Sequence, residues 1–132
     1  MRNHRSLLAW QRARSLTKAV IQLSTVAWKP QFAAIFTQLQ RSSLSIQLNI
    51  AEGYAFTDSP TLRKHLRIAY GSAIESDDLL ELMAENDHFE KAEVTVALEL
   101  CREAQRLLFG LMKRYGALTT PPKTKREPSH SA

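Results

Sequence analysis

Arg5, Arg12 and Lys18 recur near the start of the chain at about helical spacing, with Arg14 at the edge of the same stripe. No carboxylate precedes Glu52. A row of mobile cations is the chemistry of phosphate contact, which needs positive charge at regular intervals and no particular base edge. Lys29, Arg41, Arg63, Lys64 and Arg67 extend the set of candidate phosphate ligands beyond that stripe. The plain alternative is a solvated helix face, and the acid-free N-terminal stretch favours nucleic acid over it. Lys123, Lys125 and Arg126 add non-specific attraction for a polyanion near the C-terminus.

Residues for bond-making chemistry are sparse. His4 and His130 sit near the ends of the chain, and neither His65 nor His88 belongs to a Glu-x-x-His or His-x-x-x-His pattern. A di-metal bundle would lack its ligands. Glu75, Asp78 and Glu81 recur every three residues, and without histidine partners they read as a solvated acidic face. Gly53, Gly71, Gly110 and Gly116 are too scattered to form a phosphate-cradling loop. Cys101 lies between Leu98 and Ala104 on an apolar face, as an inert core thiol does, and a lone cysteine excludes an intramolecular disulfide. The expectation is no catalytic residue, no cofactor and no metal.

The elements that must position the cations are helices. A chain of 132 residues, 44% hydrophobic, is long enough for one domain with a real core and too short for two. Leu16, Val20, Leu23 and Ala27 mark a first helix from about Ser6, ending before Pro30. A second runs from about Gln31 to Gly53. Ser59 and Pro60 are a cap and a first-turn proline, opening a third helix that reaches about Glu85. After the turn Asn86-Asp87-His88, a fourth runs from near Glu90 through Val94, Leu98, Leu108 and Leu111 until Gly116 ends it. Short links between long amphipathic helices predict an all-α, antiparallel up-down-up-down four-helix bundle over residues 1–116. Residues 117–132, rich in proline and base, read as a disordered basic tail. No apolar run of about 20 residues appears, so a soluble, cytoplasmic protein without a membrane span is expected.

Charge is unevenly spread. The formal net charge is +5, yet between residues 60 and 89 Arg63, Lys64 and Arg67 face Glu75, Asp77, Asp78, Glu81, Glu85 and Asp87. Such a polarised molecule attracts a polyanion through one region while another keeps it soluble or meets a cationic partner.

The second helix has an unusual seam. Ile35, Leu39, Ser42, Ile46, Asn49 and Gly53 share one face, where an ordinary core helix would carry leucine and valine. Ser42, Ser43 and Gly53 permit close backbone approach, and Gly71 with Ser72, Ala69 and Ala73 offers a matching small-residue patch on the third helix. An interior glycine such as Gly71 costs about 1 kcal/mol against alanine, so close packing should compensate. Asn49 and Glu52 should form a polar link to Arg67 or to the first helix. Trp10 reads as a packing or subunit-contact residue rather than a base-stacking platform.

Ser45-Ile46 followed by Asn49-Ile50-Ala51-Glu52-Gly53 resembles the signature of bacterial four-helix-bundle proteins encoded in intervening sequences of 23S ribosomal RNA genes, the S23 family. Leu8-Ala9-Trp10-Gln11-Arg12-Ala13 and the stretch Leu66-Arg67-Ile68-Ala69-Tyr70-Gly71-Ser72-Ala73-Ile74-Glu75 match in the same order, and the likeness covers about residues 7 to 116. The chain departs from the pattern at Gln47 and Leu48, where the family more often has Pro and Ser, and at His65, where an aromatic is commoner. The resemblance implies a ring-like homo-oligomer, with pentamers the known form. It also implies a relation to the accessory variability determinant proteins of diversity-generating retroelements, similar bundles that bind nucleic acid and a reverse transcriptase. The resulting expectation is a non-enzymatic basic oligomer binding structured RNA or DNA through phosphates. The alternative is a protein-interaction scaffold that docks, for example, a polymerase, with incidental nucleic-acid affinity.

Overall fold

Residues 3–57 and 59–118 are described by the computed structural model; Lys123, Lys125, Arg126 and the rest of the expected tail from residue 119 onward lie outside them. The fold is the four-helix bundle expected. Its helices are α1 (Leu8–Ala27), α2 (Ala33–Gly53), α3 (Pro60–Ala84) and α4 (Lys91–Arg114), with no strand among the described residues. Single 3₁₀ turns at His4–Ser6 and Pro30–Phe32 lead into α1 and α2. Each helix packs on the next in chain order, and α4 closes the ring against α1. No helix among the described residues is long and apolar enough to cross a membrane.

Local chemistry sets the helix ends. The Ser59 hydroxyl accepts the Leu62 N–H at 3.2 Å, and Pro60 occupies the first helical position, where its missing N–H costs nothing. At the far end of α4, Gly116 takes a φ of +72°, which lets the Ala117 N–H reach the Met112 carbonyl at 2.7 Å. That is a Schellman cap, and it buries Ala117 completely, so the packed domain extends one residue past Gly116. Trp28 turns extended ahead of Pro30, ending α1, and the Ala27 carbonyl accepts a hydrogen bond from His88 Nε2 at 2.9 Å.

The inward stripes are apolar at helical spacing: Leu16, Val20 and Leu23 of α1, Leu39, Ile46 and Ile50 of α2, Leu62, Leu66 and Leu80 of α3, and Val94, Ala97 and Leu108 of α4. Each fully buried leucine removes enough apolar surface to contribute about 1.5–3 kcal/mol. Cys101 is buried among them, and burial pushes its thiol up to about 11. It is a core residue at any ordinary pH.

The seam between α2 and α3 is hydrogen-bonded along its length. Ser42 and Ser76 share a hydrogen at 2.7 Å, Ser72 donates to the Ser45 hydroxyl at 2.8 Å, and Asn49 donates to the Ser45 carbonyl at 2.9 Å. Two expectations need correcting. Asn49 and Glu52 link to His65 rather than to Arg67 or α1: the Asn49 carboxamide oxygen lies 2.8 Å from His65 Nδ1, with Glu52 at 3.7 Å. Because the Asn49 nitrogen is spent on Ser45, the acceptor end faces the imidazole, and His65 carries its hydrogen on Nδ1. The second correction concerns the small residues. Gly53 is the close-approach site, where a Cβ would fall 2.9 Å from His65 Cβ, whereas Gly71 is exposed with nothing within 4 Å. Ser43 faces α1, its carbonyl accepting from Thr17 at 3.3 Å.

Asn49→Leu is therefore expected to lower the unfolding free energy by about 1–2 kcal/mol, because His65 loses its acceptor. Urea unfolding reads this as a lower midpoint. An unchanged midpoint together with an unchanged particle mass would remove the seam from the specification of the fold.

Candidate nucleic-acid interface

Antiparallel connectivity turns the charge pattern along the chain into a charge pattern along the bundle. One end gathers the start of α1, the end of α2, the start of α3 and the end of α4, as the Asn49–His65 and Tyr54–Tyr115 hydrogen bonds show. The other gathers the opposite termini, joined by His88 on Ala27 and by Phe32 against Phe89. Divided at the helix midpoints, the first half carries nine cations and two carboxylates among the described residues, a net of +7. The second carries five cations and nine carboxylates, a net of −4.

The positions of the predicted cations follow from this geometry. Arg5, Arg12, Arg14, Arg63, Lys64 and Arg67 lie in the basic half. Lys18 sits near the middle of α1, and Lys29 and Arg41 belong to the acidic half. Arg12 does not stand free on its stripe, because its Nε lies 2.9 Å from Glu103 of α4. Arg41 donates to Gln38 at 2.9 Å, and Arg67 reaches the Ala117 carbonyl at 3.5 Å. Arg5 and Arg14 place their guanidinium carbons 5.3 and 5.7 Å from the Trp10 ring centroid, with the His4 ring edge-on at 5.2 Å. Trp10 is buried beneath this cluster, so its ring holds the N-terminal turn in place and offers no face to a base.

Sequence reasoning overlooked Arg106, Lys113 and Arg114, which α4 delivers to the same end as Lys64. The signal was available. Read on alternately directed helices, the basic opening of the chain, the basic start of α3, the acidic middle and the basic end of α4 place three cationic blocks together.

The cations of α3 also run against helix electrostatics. A helix N-terminus is the positive end of its dipole and favours acid, yet α3 has no acid in its first turn and carries Arg63, Lys64 and Arg67 close behind Pro60. In α2 the pattern is reversed, with Glu52 in the last turn and no base there. A bound anion at this end would complement both the cations and the exposed helix start.

Two grooves flank α4. Between α3 and α4 an open groove of about 550 Å³ is lined by Tyr70, Asp77, Arg102, Gln105, Arg106 and Phe109. Arg102 binds Asp77 through two hydrogen bonds, of 3.0 and 3.1 Å, and also pairs with Glu81, and its hydrogen bonds hold the Asp77 carboxyl below the usual carboxylate range. The second groove, about 280 Å³ between α1 and α4, is lined mainly by Ala19, Leu23, Ala92 and Val96 and belongs to the acidic half. No cluster of three His, Cys, Asp or Glu suited to a metal occurs among the described residues.

A solved structure shares this architecture: a protein of unknown function from the S23 ribosomal protein family of Bacteroides thetaiotaomicron VPI-5482, with a TM-score of 0.73 at 20% identity, covering 80% of this chain and 96% of that one. At that identity the likeness speaks for the fold. No curated protein matches the chain. The family model described as 23S rRNA-intervening sequence protein matches residues 5–110, which takes in α1, α2, α3 and most of α4, and the chain belongs to that family.

Proposed function

We propose that this bundle is a non-enzymatic, homo-oligomeric binder of structured RNA or DNA that grips phosphates with its basic end. The observation that carries the reading is the segregation, among the described residues, of nine cations against two carboxylates in one half of the bundle. Phosphate contact releases condensed counterions, so such an end gains affinity without reading sequence. The expected relation to accessory variability determinant proteins belongs to the same proposal, as does a pentameric ring. In a cyclic ring whose axis runs along the bundles, every copy presents the same end to the same side, so the basic ends would form one continuous surface.

Exposed apolar residues support self-association or protein docking. Ile21 is 53% exposed between Thr17 and Ser24, whose hydroxyls reach α2. Leu44 and Leu48, 43% and 46% exposed, continue that flank on α2. The same residues favour the second reading, a scaffold that docks a polymerase.

Anisotropy of labelled structured RNA, duplex DNA and an RNA–DNA hybrid, measured across salt with particle mass in parallel, tests the proposal. Affinity that falls steeply with salt yet survives near physiological ionic strength is the expected result. Absence of binding even at low salt would overturn it and leave the scaffold reading.

A further inference from the structure

The groove between α3 and α4 spans the middle of the bundle, with Tyr70, Gln105, Arg106 and Phe109 on its basic side, and has unspent hydrogen-bonding capacity. Phe109 is 44% exposed beside Tyr70, with ring centroids 6.2 Å apart and planes tilted by 48°. The Tyr70 hydroxyl and the Gln105 carboxamide oxygen have no hydrogen-bond partner among the described residues, and Arg106 has no ion-pair partner there either. Asp77, the acid of the groove, is already matched by Arg102 and by Gln105, whose Nε2 donates to it at 2.7 Å. On α4, Arg106, Phe109 and Lys113 follow one another at helical spacing, so a single stripe leads from the groove to the end of the bundle. On α3, Tyr70 stands three residues beyond Arg67 in the same way.

Resting on the phosphate chemistry proposed for the basic end, we infer that this groove takes an unpaired nucleotide, its base against Phe109 and Tyr70 and its phosphate on Arg106. An exposed ring beside a guanidinium is how single strands are held without sequence preference: stacking supplies affinity and the cation tracks the backbone. The volume of the groove lies within the range of about 300–1,000 Å³ that small-ligand sites occupy. A duplex keeps its bases stacked on one another and offers only phosphates. The groove therefore makes this protein prefer RNA or DNA with unpaired segments over uninterrupted duplex.

The test compares an oligoadenylate of about ten nucleotides, as RNA and as DNA, with a fully paired RNA duplex. Binding to the wild-type full chain, to Phe109→Ala and to Phe109→Trp is followed by anisotropy and, in the last, by indole fluorescence. Phe109→Ala is expected to weaken oligoadenylate binding about tenfold while the duplex changes less than about twofold. The indole emission that Phe109→Trp adds to that of Trp10 and Trp28 in the wild type should be quenched by oligoadenylate and not by duplex. The two oligoadenylate arms report whether the sugar matters. Equal loss for both probes, or no loss for either with an unquenched indole, would overturn the groove while leaving the phosphate reading in place. Failure of the wild type to bind any probe would overturn both.

Discussion

Replacing Lys64, Lys113 and Arg114 together with glutamine is expected to lower affinity for an RNA duplex by about tenfold to a hundredfold near physiological salt, and to flatten the salt dependence by about two to three units of log–log slope. These residues come from two helices but share the basic end, and all three are exposed. Their replacement leaves the fold alone, since Lys64 and Lys113 make no hydrogen bond or ion pair among the described residues and Arg114 only approaches the Tyr115 ring, at 5.3 Å. The control removes the same formal charge elsewhere. Lys18→Gln, Lys29→Gln and Arg41→Gln act at the middle of α1 and in the acidic half, more than a Debye length of about 8 Å from most of the basic cluster, and should change affinity by less than about threefold. Equal losses in the two triple variants would mean that net charge alone governs binding. The end of the bundle would then lose its status as a site.

That control also separates what the chain discloses by itself from what only folding assembles. The helices were legible because each signal is local: apolar residues at helical spacing, Ser59 and Pro60 opening α3, and Gly116 closing α4. Neighbouring residues enforce those features, and they survive in any tertiary setting. The electrostatics are different. Arg12 reads as a free cation because its counter-ion, Glu103, lies on a helix that the chain reaches only at the far end of the domain. Arg106, Lys113 and Arg114 look like the tail of a mixed-charge helix until antiparallel packing sets them beside Lys64. Polar partners across the α2–α3 seam follow the same logic. The small residues announced close contact, but which of Gly53 and Gly71 makes it depends on the rotation of α3 about its axis, and a few tens of degrees decide whether Asn49 meets Arg67 or His65.

The two glycines should respond to substitution with opposite signs. At Gly53 a new Cβ would fall 2.9 Å from His65 Cβ and 3.3 Å from Leu62 Cδ1. The Leu62 methyl can turn aside, but His65 Cβ is fixed to the backbone of α3, so the helices must separate. Separation would disturb the contact between the Asn49 oxygen and His65 Nδ1 directly above it. Gly53→Ala is accordingly expected to destabilise by about 1–2 kcal/mol despite alanine's better helix propensity, and Gly53→Val, which adds two methyl groups on the crowded side, by about 2–3 kcal/mol. Gly71 meets nothing within 4 Å and lies inside α3, so Gly71→Ala should gain about 0.5–1 kcal/mol from propensity and reduced unfolded-state entropy. Urea midpoints with unchanged m-values read both effects. A stabilising Gly53→Ala would mean that α2 and α3 stand further apart than 2.9 Å implies. A destabilising Gly71→Ala with an altered particle mass would instead place a second copy against that exposed stretch of α3, because only an approaching surface gives an open glycine a reason to stay small.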